Sequence, residues 1–277
     1  MESADANPYA TRDLNSWAEL APAIAELRSE HARASEPGSH LLFRGQSNSC
    51  WGLGTTLERR FPNRQWSWAD YYQLVRSTIP QIQSFTGRQW NFPPYKEVAD
   101  FGTDFDHQLK TLPGYEYLVY VRHHGFPSPL LDWSRSPFVA AFFAYRHRVA
   151  TADRVAIYCY QERASSWKMG SSSEPQIHSH GPYVTTHPRH VLQQCEYTTC
   201  NVFEDRRWAY ADHSTVFALG NDKQDRLWKF TLPAADRLQV LRDLDSYNLN
   251  AYSLFPIEDA LLETVALREL EFRGRFE

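Results

Sequence analysis

Residues 136 to 145 constrain the fold more than any other stretch of the chain. Ser136-Pro137 pairs a helix-capping side chain with proline at the first helical position, where its missing N–H is no loss. The run that follows, Phe138 to Tyr145, is apolar on every side. A helix with no polar face cannot lie on a surface, so this one is expected at the centre of the fold. Its N-terminus, with unpaired N–H groups and a partial positive charge, is expected to point at the loop holding Asp132.

The other periodicities place elements around that helix. Leu14, Trp17, Leu20, Ile24 and Leu27 recur at three- and four-residue spacing, which predicts an amphipathic helix over 15–34. After the breaker cluster Glu36-Pro37-Gly38-Ser39, the run Leu41-Leu42-Phe43 predicts a short strand ending at Arg44-Gly45. Trp68, Tyr71, Tyr72, Val75, Ile79 and Ile82 share one helical face over 67–85, with Pro80 expected to kink the helix or split it. Helices are also predicted at 95–109 and 115–124, the second closed by Gly125 in a left-handed cap. Phe126 to Ser134 is too rich in proline for a helix and reads as a turn.

Alternation of Val155, Ile157 and Cys159 with Ala156, Tyr158 and Tyr160 predicts a strand over 154–161 covered on both faces. The Ser-, Pro- and Gly-containing stretch 162–188 reads as a mobile surface loop. Strands are expected near 191–203, 215–219 and 227–232, then a helix over 233–245 and a closing helix from Ile257. The expectation is an α+β fold with a central mixed or antiparallel sheet, flanking helices and one buried apolar helix. A length of 277 residues is within reach of one elaborated domain, so residues 1–277 are expected to fold as a unit.

Charge and cysteine usage narrow the setting. The net charge of -4 comes from 33 acids and 29 bases that are well interspersed, which leaves no net field to collect polyanions. The basic cluster Arg59, Arg60 and Arg64 reads as a solvated face. No apolar run approaches the ~20 residues that span a bilayer, and the start of the chain lacks the pattern of a secretory signal, so a cytoplasmic location away from membranes is expected. Cys50, Cys159, Cys195 and Cys200 are expected to be reduced. His178, His180, His187 and His190 with Cys195 and Cys200 lack the paired short spacings of a zinc module, so no metal is expected.

Two segments carry a family resemblance. Phe43-Arg44-Gly45-Gln46 after a short strand resembles the motif of the FRG domain family. The block from His123-His124-Gly125 through Pro129-Leu130-Leu131-Asp132-Trp133-Ser134, followed by Pro137 and the Ala/Phe-rich helix, is similar to that family's second signature. The resemblance spans about residues 15–261, with Arg189 to Tyr197 similar to a later element.

The order of an arginine on an early strand, a serine-containing turn and Gln194-Cys195-Glu196 also looks like the layout of arginine-type ADP-ribosyltransferases. That likeness implies NAD as substrate, Glu196 stabilising the positive ribose, Gln194 orienting the acceptor and Arg44 holding the phosphates. It further implies an intracellular effector or defence toxin acting on a protein or nucleic-acid target.

From the residues alone, Arg44 after three apolar positions needs a carboxylate or phosphate. A structural Arg44–Asp132 pair and a ligand-binding Arg44 both satisfy it. Gly45, Gln46, His123, Asp132, Ser134 and Tyr197 are the other candidates for ligand contact, and His124 is a candidate acid or base. The alternative functions are a non-catalytic ligand- or peptide-binding regulatory module and a toxin acting on RNA.

Overall fold

A computed structural model of the chain describes residues 10–34, 39–103, 112–164, 173–221 and 223–273. Its strands are β1 (Ala10–Asp13), β2 (Leu41–Gln46), β3 (Leu131–Ser134), β4 (Arg154–Glu162), β5 (Gln176–His180), β6 (Cys195–Glu204), β7 (Arg207–Tyr210) and β8 (Asp225–Pro233). The helices are α1 (Leu20–Ala34), α2 (Thr56–Arg60), α3 (Trp68–Thr86), α4 (Tyr95–Thr103), α5 (Tyr115–His123) and α6 (Pro137–Arg146). They continue with α7 (Pro188–Leu192), α8 (His213–Ala218), α9 (Arg237–Ser246), α10 (Ala251–Leu254) and α11 (Glu258–Ala266). The architecture is α+β, with a mixed, open sheet in the order β1-β8-β4-β2-β3-β6-β5 and β7 added to β6. Only the β1–β8 pair is parallel among these.

The apolar helix α6 lies where its composition requires. Ser136 accepts from the Val139 N–H at its start, Pro137 occupies the first turn, and Val139, Ala140, Ala141, Phe142, Ala144 and Tyr145 are buried. Its neighbours are Phe43, Val155, Ile157 and Cys159 from the sheet, with α1 and α9 beside it. The alternate positions Leu42, Tyr158 and Tyr160 face the other side, where Trp133 and Phe217 of α8 join them. A second cluster on α3 and α5 meets Cys195 and Tyr197 of β6. Two separate helix layers therefore cover the two halves of the sheet, and β2 and β3 form the seam between them.

Several boundaries differ from expectation for local reasons. Helix α3 is continuous through Pro80 and is not split there, and Pro80 is on the exposed side where water can solvate the freed Arg76 carbonyl. Helix α4 is described to Thr103, and 104–109 of the predicted helix lie outside the described residues. Leu131–Ser134 is a strand instead of a turn, because it pairs with β6 over four residues. The stretch 162–188 is not one loop: β5 pairs with β6 and buries His178 and His180, while residues 165–172 lie outside the described ones. The expected strand 215–219 is helix α8, capped by Asp212 and ended near Gly220 at φ 71. Residues 188–192 form a helical turn before β6, and strands β1 and β7 and helix α10 had no distinct sequence signal.

Candidate functional site

At the seam, β2 and β3 are joined by the single register pair Phe43–Ser134, whereas β2 pairs with β4 over six residues. Beyond that pair the two strands part, and the gap opens into a cavity of about 720 Å³. Arg44, Gly45, Gln46, Arg59, Asp132 and Ser134 are on its wall. Trp51, Trp133 and Phe143 supply aromatic surface, and Gln193 and Cys195 close the far side.

Arg44 spans the gap. Its Nη1 donates to the Asp132 backbone carbonyl and to Asp132 Oδ1, both at 2.7 Å, so a side chain does there what a ladder bond does elsewhere. The predicted pair therefore exists. It is not exclusive, because Arg122 Nη2 donates to the same Oδ1 at 2.6 Å. Burial alone would raise the Asp132 pKa, but Arg122 and Arg44 outweigh it and hold the carboxyl well below the usual range. Solvent still reaches the group, whose side chain is 39% exposed. Its partners are these guanidinium groups, and the N-terminus of α6 is capped instead by Ser136.

Arg59, on the cavity wall, donates to the Gly54 carbonyl at 2.6 Å. Burial and the charges of Arg44 and Arg122 push its guanidinium pKa down, against the opposing pull of Asp132 and Glu58. Glu58 itself is engaged in a capping box with Thr55. Arg44 Nε is buried and has no hydrogen-bond partner among the described residues, and the same holds for Gln46 Oε1. Gln46 Nε2 donates to the Gly52 carbonyl at 2.8 Å.

Gly45 has a steric reason to be glycine. A Cβ there would come within 1.8 Å of the Ala140 carbonyl oxygen, in the backbone of α6. Ser134 Oγ donates to the Gln193 carbonyl and accepts from the Ser136 N–H, so it fixes the entry into α6.

The remaining candidates lie elsewhere. Glu196 is fully buried, bonded to His40 at 2.8 Å and to Arg135, and it is not among the cavity-lining residues. Gln194 is an exposed turn residue at φ 50 just before β6, so it does not share a strand face with Glu196 as the Gln-x-Glu spacing implied. Gln193, its buried neighbour, is the glutamine on the cavity wall.

His123 bonds the Tyr197 hydroxyl at 2.6 Å, and burial pushes its imidazole pKa down to about 3 despite the pull of Asp132. His124 is exposed, with its ring against Tyr120 and His187. Arg59, read from the sequence as part of a solvated face, is exposed but also on the cavity wall, and Arg122 and Gln193 escaped the sequence reading. Arg122 precedes the His123-His124-Gly125 turn on the last turn of α5, where a base is ordinary, so its inward direction had no linear signal.

Fold and site together define an α+β protein whose open sheet parts at its centre around an arginine-rich cavity. The chain contains an FRG domain: the family model for that domain matches residues 39–153, which hold β2, β3 and α6 together with Arg44, Arg59, Arg122 and Asp132. No curated protein and no solved structure matches the chain. No helix among the described residues is long and apolar enough to cross a membrane.

Proposed function

We propose that the cavity binds a phosphate-bearing ligand of nucleotide size, anchored by Arg44 and Arg59 with Arg122 behind them. The observation that carries this reading is the excess of guanidinium over carboxylate: Asp132 is the single acid among the lining residues, and two arginines already share it. Crowded guanidinium groups repel one another, and an anion relieves that repulsion. The planar fork suits phosphate oxygens bidentately. Arg44 Nε, buried without an acceptor, is a donor that such an anion would satisfy. A volume of about 720 Å³ falls in the range of small-molecule sites, and half-exposed Trp51 offers a face for a base.

NAD is a ligand of this class, and ADP-ribosyl transfer is the enzymatic form of the reading. It requires a carboxylate where positive charge develops on the ribose. On this cavity wall Asp132 is the carboxylate available, and Glu196 would support the strand from outside the cavity.

Thermal shift and calorimetry with NAD, ADP-ribose, inorganic phosphate and an RNA oligonucleotide test the proposal, with free nicotinamide measured in parallel. A ligand at ~100 times its Kd adds about 2.7 kcal/mol of stability. Arg44→Ala should abolish the shift and Arg44→Lys weaken it, while Glu196→Gln should retain it. Binding without nicotinamide release makes the domain a ligand-binding regulatory module. No shift with any phosphate-bearing ligand overturns the reading, and nicotinamide release that depends on Glu196 returns the catalytic role to that residue.

A further inference from the structure

Residues from three separate stretches converge beside the cavity: His123 at the end of α5, His190 in α7 and Cys195 at the start of β6. One donor atom from each lies within 4.8 Å of the others, with His190 and Cys195 buried and His123 partly so. Hydrogen bonding orients these rings. His190 Nε2 is 2.9 Å from the Pro182 carbonyl, which can only accept, so that nitrogen carries the hydrogen and Nδ1 of the neutral ring keeps its lone pair. The lone pair points inward, 3.2 Å from the Tyr197 hydroxyl, which His123 Nε2 approaches from another side at 2.6 Å. A far nitrogen tied to a backbone carbonyl and a near nitrogen turned into a cluster is the arrangement by which proteins orient metal-binding histidines.

We propose that His123, His190 and Cys195 form a divalent transition-metal site, with zinc the fitting ion and the Tyr197 hydroxyl at its fourth position. Two imidazoles and a thiolate are a borderline-soft donor set that suits zinc over magnesium or calcium. Zinc–nitrogen and zinc–sulfur bonds of about 2.0 to 2.3 Å place tetrahedral donors roughly 3.3 to 3.7 Å apart, so the three must draw together around the ion. Binding releases the Cys195 thiol proton to solvent and requires the neutral His123 ring to carry its hydrogen on Nδ1, with Nε2 turned to the ion. The separations of 67 and 5 residues between the three donors explain why no linear spacing announced the site.

The full chain, stripped with a chelator, loaded with zinc or cobalt(II) and freed of excess metal by gel filtration, tests this. One metal per chain is expected by plasma mass spectrometry, and cobalt should give a thiolate-to-metal charge-transfer band with four-coordinate visible absorption. Cys195→Ser should remove the charge-transfer band. His190→Gln should weaken metal affinity by more than ~10-fold, the loss that even an outer partner of a ligand can cause. Cys50→Ser, at an exposed thiol, should change neither.

Circular dichroism checks that each variant folds, and the wild-type cobalt spectrum decides the matter without any variant. Failure of the folded wild-type chain to retain metal overturns the proposal. So does a cobalt spectrum without the thiolate band, or a bound metal that Cys195→Ser leaves unchanged.

Discussion

Replacing Gly45 by alanine tests the central packing contact of the site. The added Cβ would meet the Ala140 carbonyl oxygen at 1.8 Å, Ala144 N at 2.7 Å and Ala140 C at 2.8 Å. All three are backbone atoms of a helix packed inside the core, so no side-chain rotation relieves the overlap. Restoring an ordinary separation of roughly 3.4 Å requires β2 and α6 to move apart by about 1.5 Å, more than a close-packed interior accepts freely.

Ordinary overpacking costs about 1–3 kcal/mol, and a rigid contact belongs at or above the top of that range. An unfolding entropy of about 2.1 cal/mol/K per residue gives roughly 580 cal/mol/K for the 277-residue chain, so ~3 kcal/mol lowers Tm by about 5 °C. Differential scanning calorimetry measures this, with Gly52→Ala as the control because nothing lies within 4 Å of a Cβ there. A Gly45→Ala chain that melts with the wild type would refute the contact and the explanation of the Phe-Arg-Gly motif with it.

Three further outcomes follow from the same geometry. Asp132→Asn leaves Arg44 and Arg122 without their shared carboxylate. It should lower stability by about 1–3 kcal/mol, less than for a fully buried pair because the carboxylate is 39% exposed, while calorimetry shows tighter phosphate-ligand binding. His180 is buried and its imidazole pKa is pushed down to about 4, so the unfolded chain binds a proton that the folded chain refuses between pH ~6.5 and about 4. Stability from this group is fully present above ~6.5 and is lost as pH falls through that window, and His180→Gln should flatten urea midpoints measured across it. Raising salt from ~0.1 to ~1 M shortens the Debye length from ~10 to ~3 Å, so the phosphate-ligand shift should shrink, and a salt-independent shift would point to stacking in place of charge.

The strong elements were legible because their signals are local. Ser136-Pro137 with its apolar run gave α6, the alternation at 154–161 gave β4, and both follow from side-chain period alone. Composition misled at 162–188, where serine and histidine concealed β5: His178 and His180 are buried only because β6 supplies the ladder and Thr199 meets His180 Nε2 at 2.9 Å. The Arg44–Asp132 pair was legible from the expense of a charge next to three core residues. Arg122 and Arg59 were not, since a basic residue near a helix C-terminus is common and its inward turn is decided by tertiary contacts. Gln194 failed because the strand begins one residue later, which turns a face argument into a turn residue at φ 50.

On the proposed anion-binding reading, the seam couples binding to folding at this site. Phe43 points into the α6 core, Gly45 admits the backbone of that helix, and Arg44 between them closes the gap that a single β2–β3 pair leaves open. An anion drawn to Arg44 competes with Asp132 for the same guanidinium. Asp132 can yield because Arg122 holds Oδ1 independently at 2.6 Å, so the carboxylate keeps a partner whichever way Arg44 turns. Arg122→Ala therefore leaves Arg44 as the one guanidinium bonded to Asp132 among the described residues and should weaken phosphate binding even if Arg122 never touches the ligand. Removing Arg122 and Asp132 together should restore most of that loss, a double-mutant coupling that independent sites would not show.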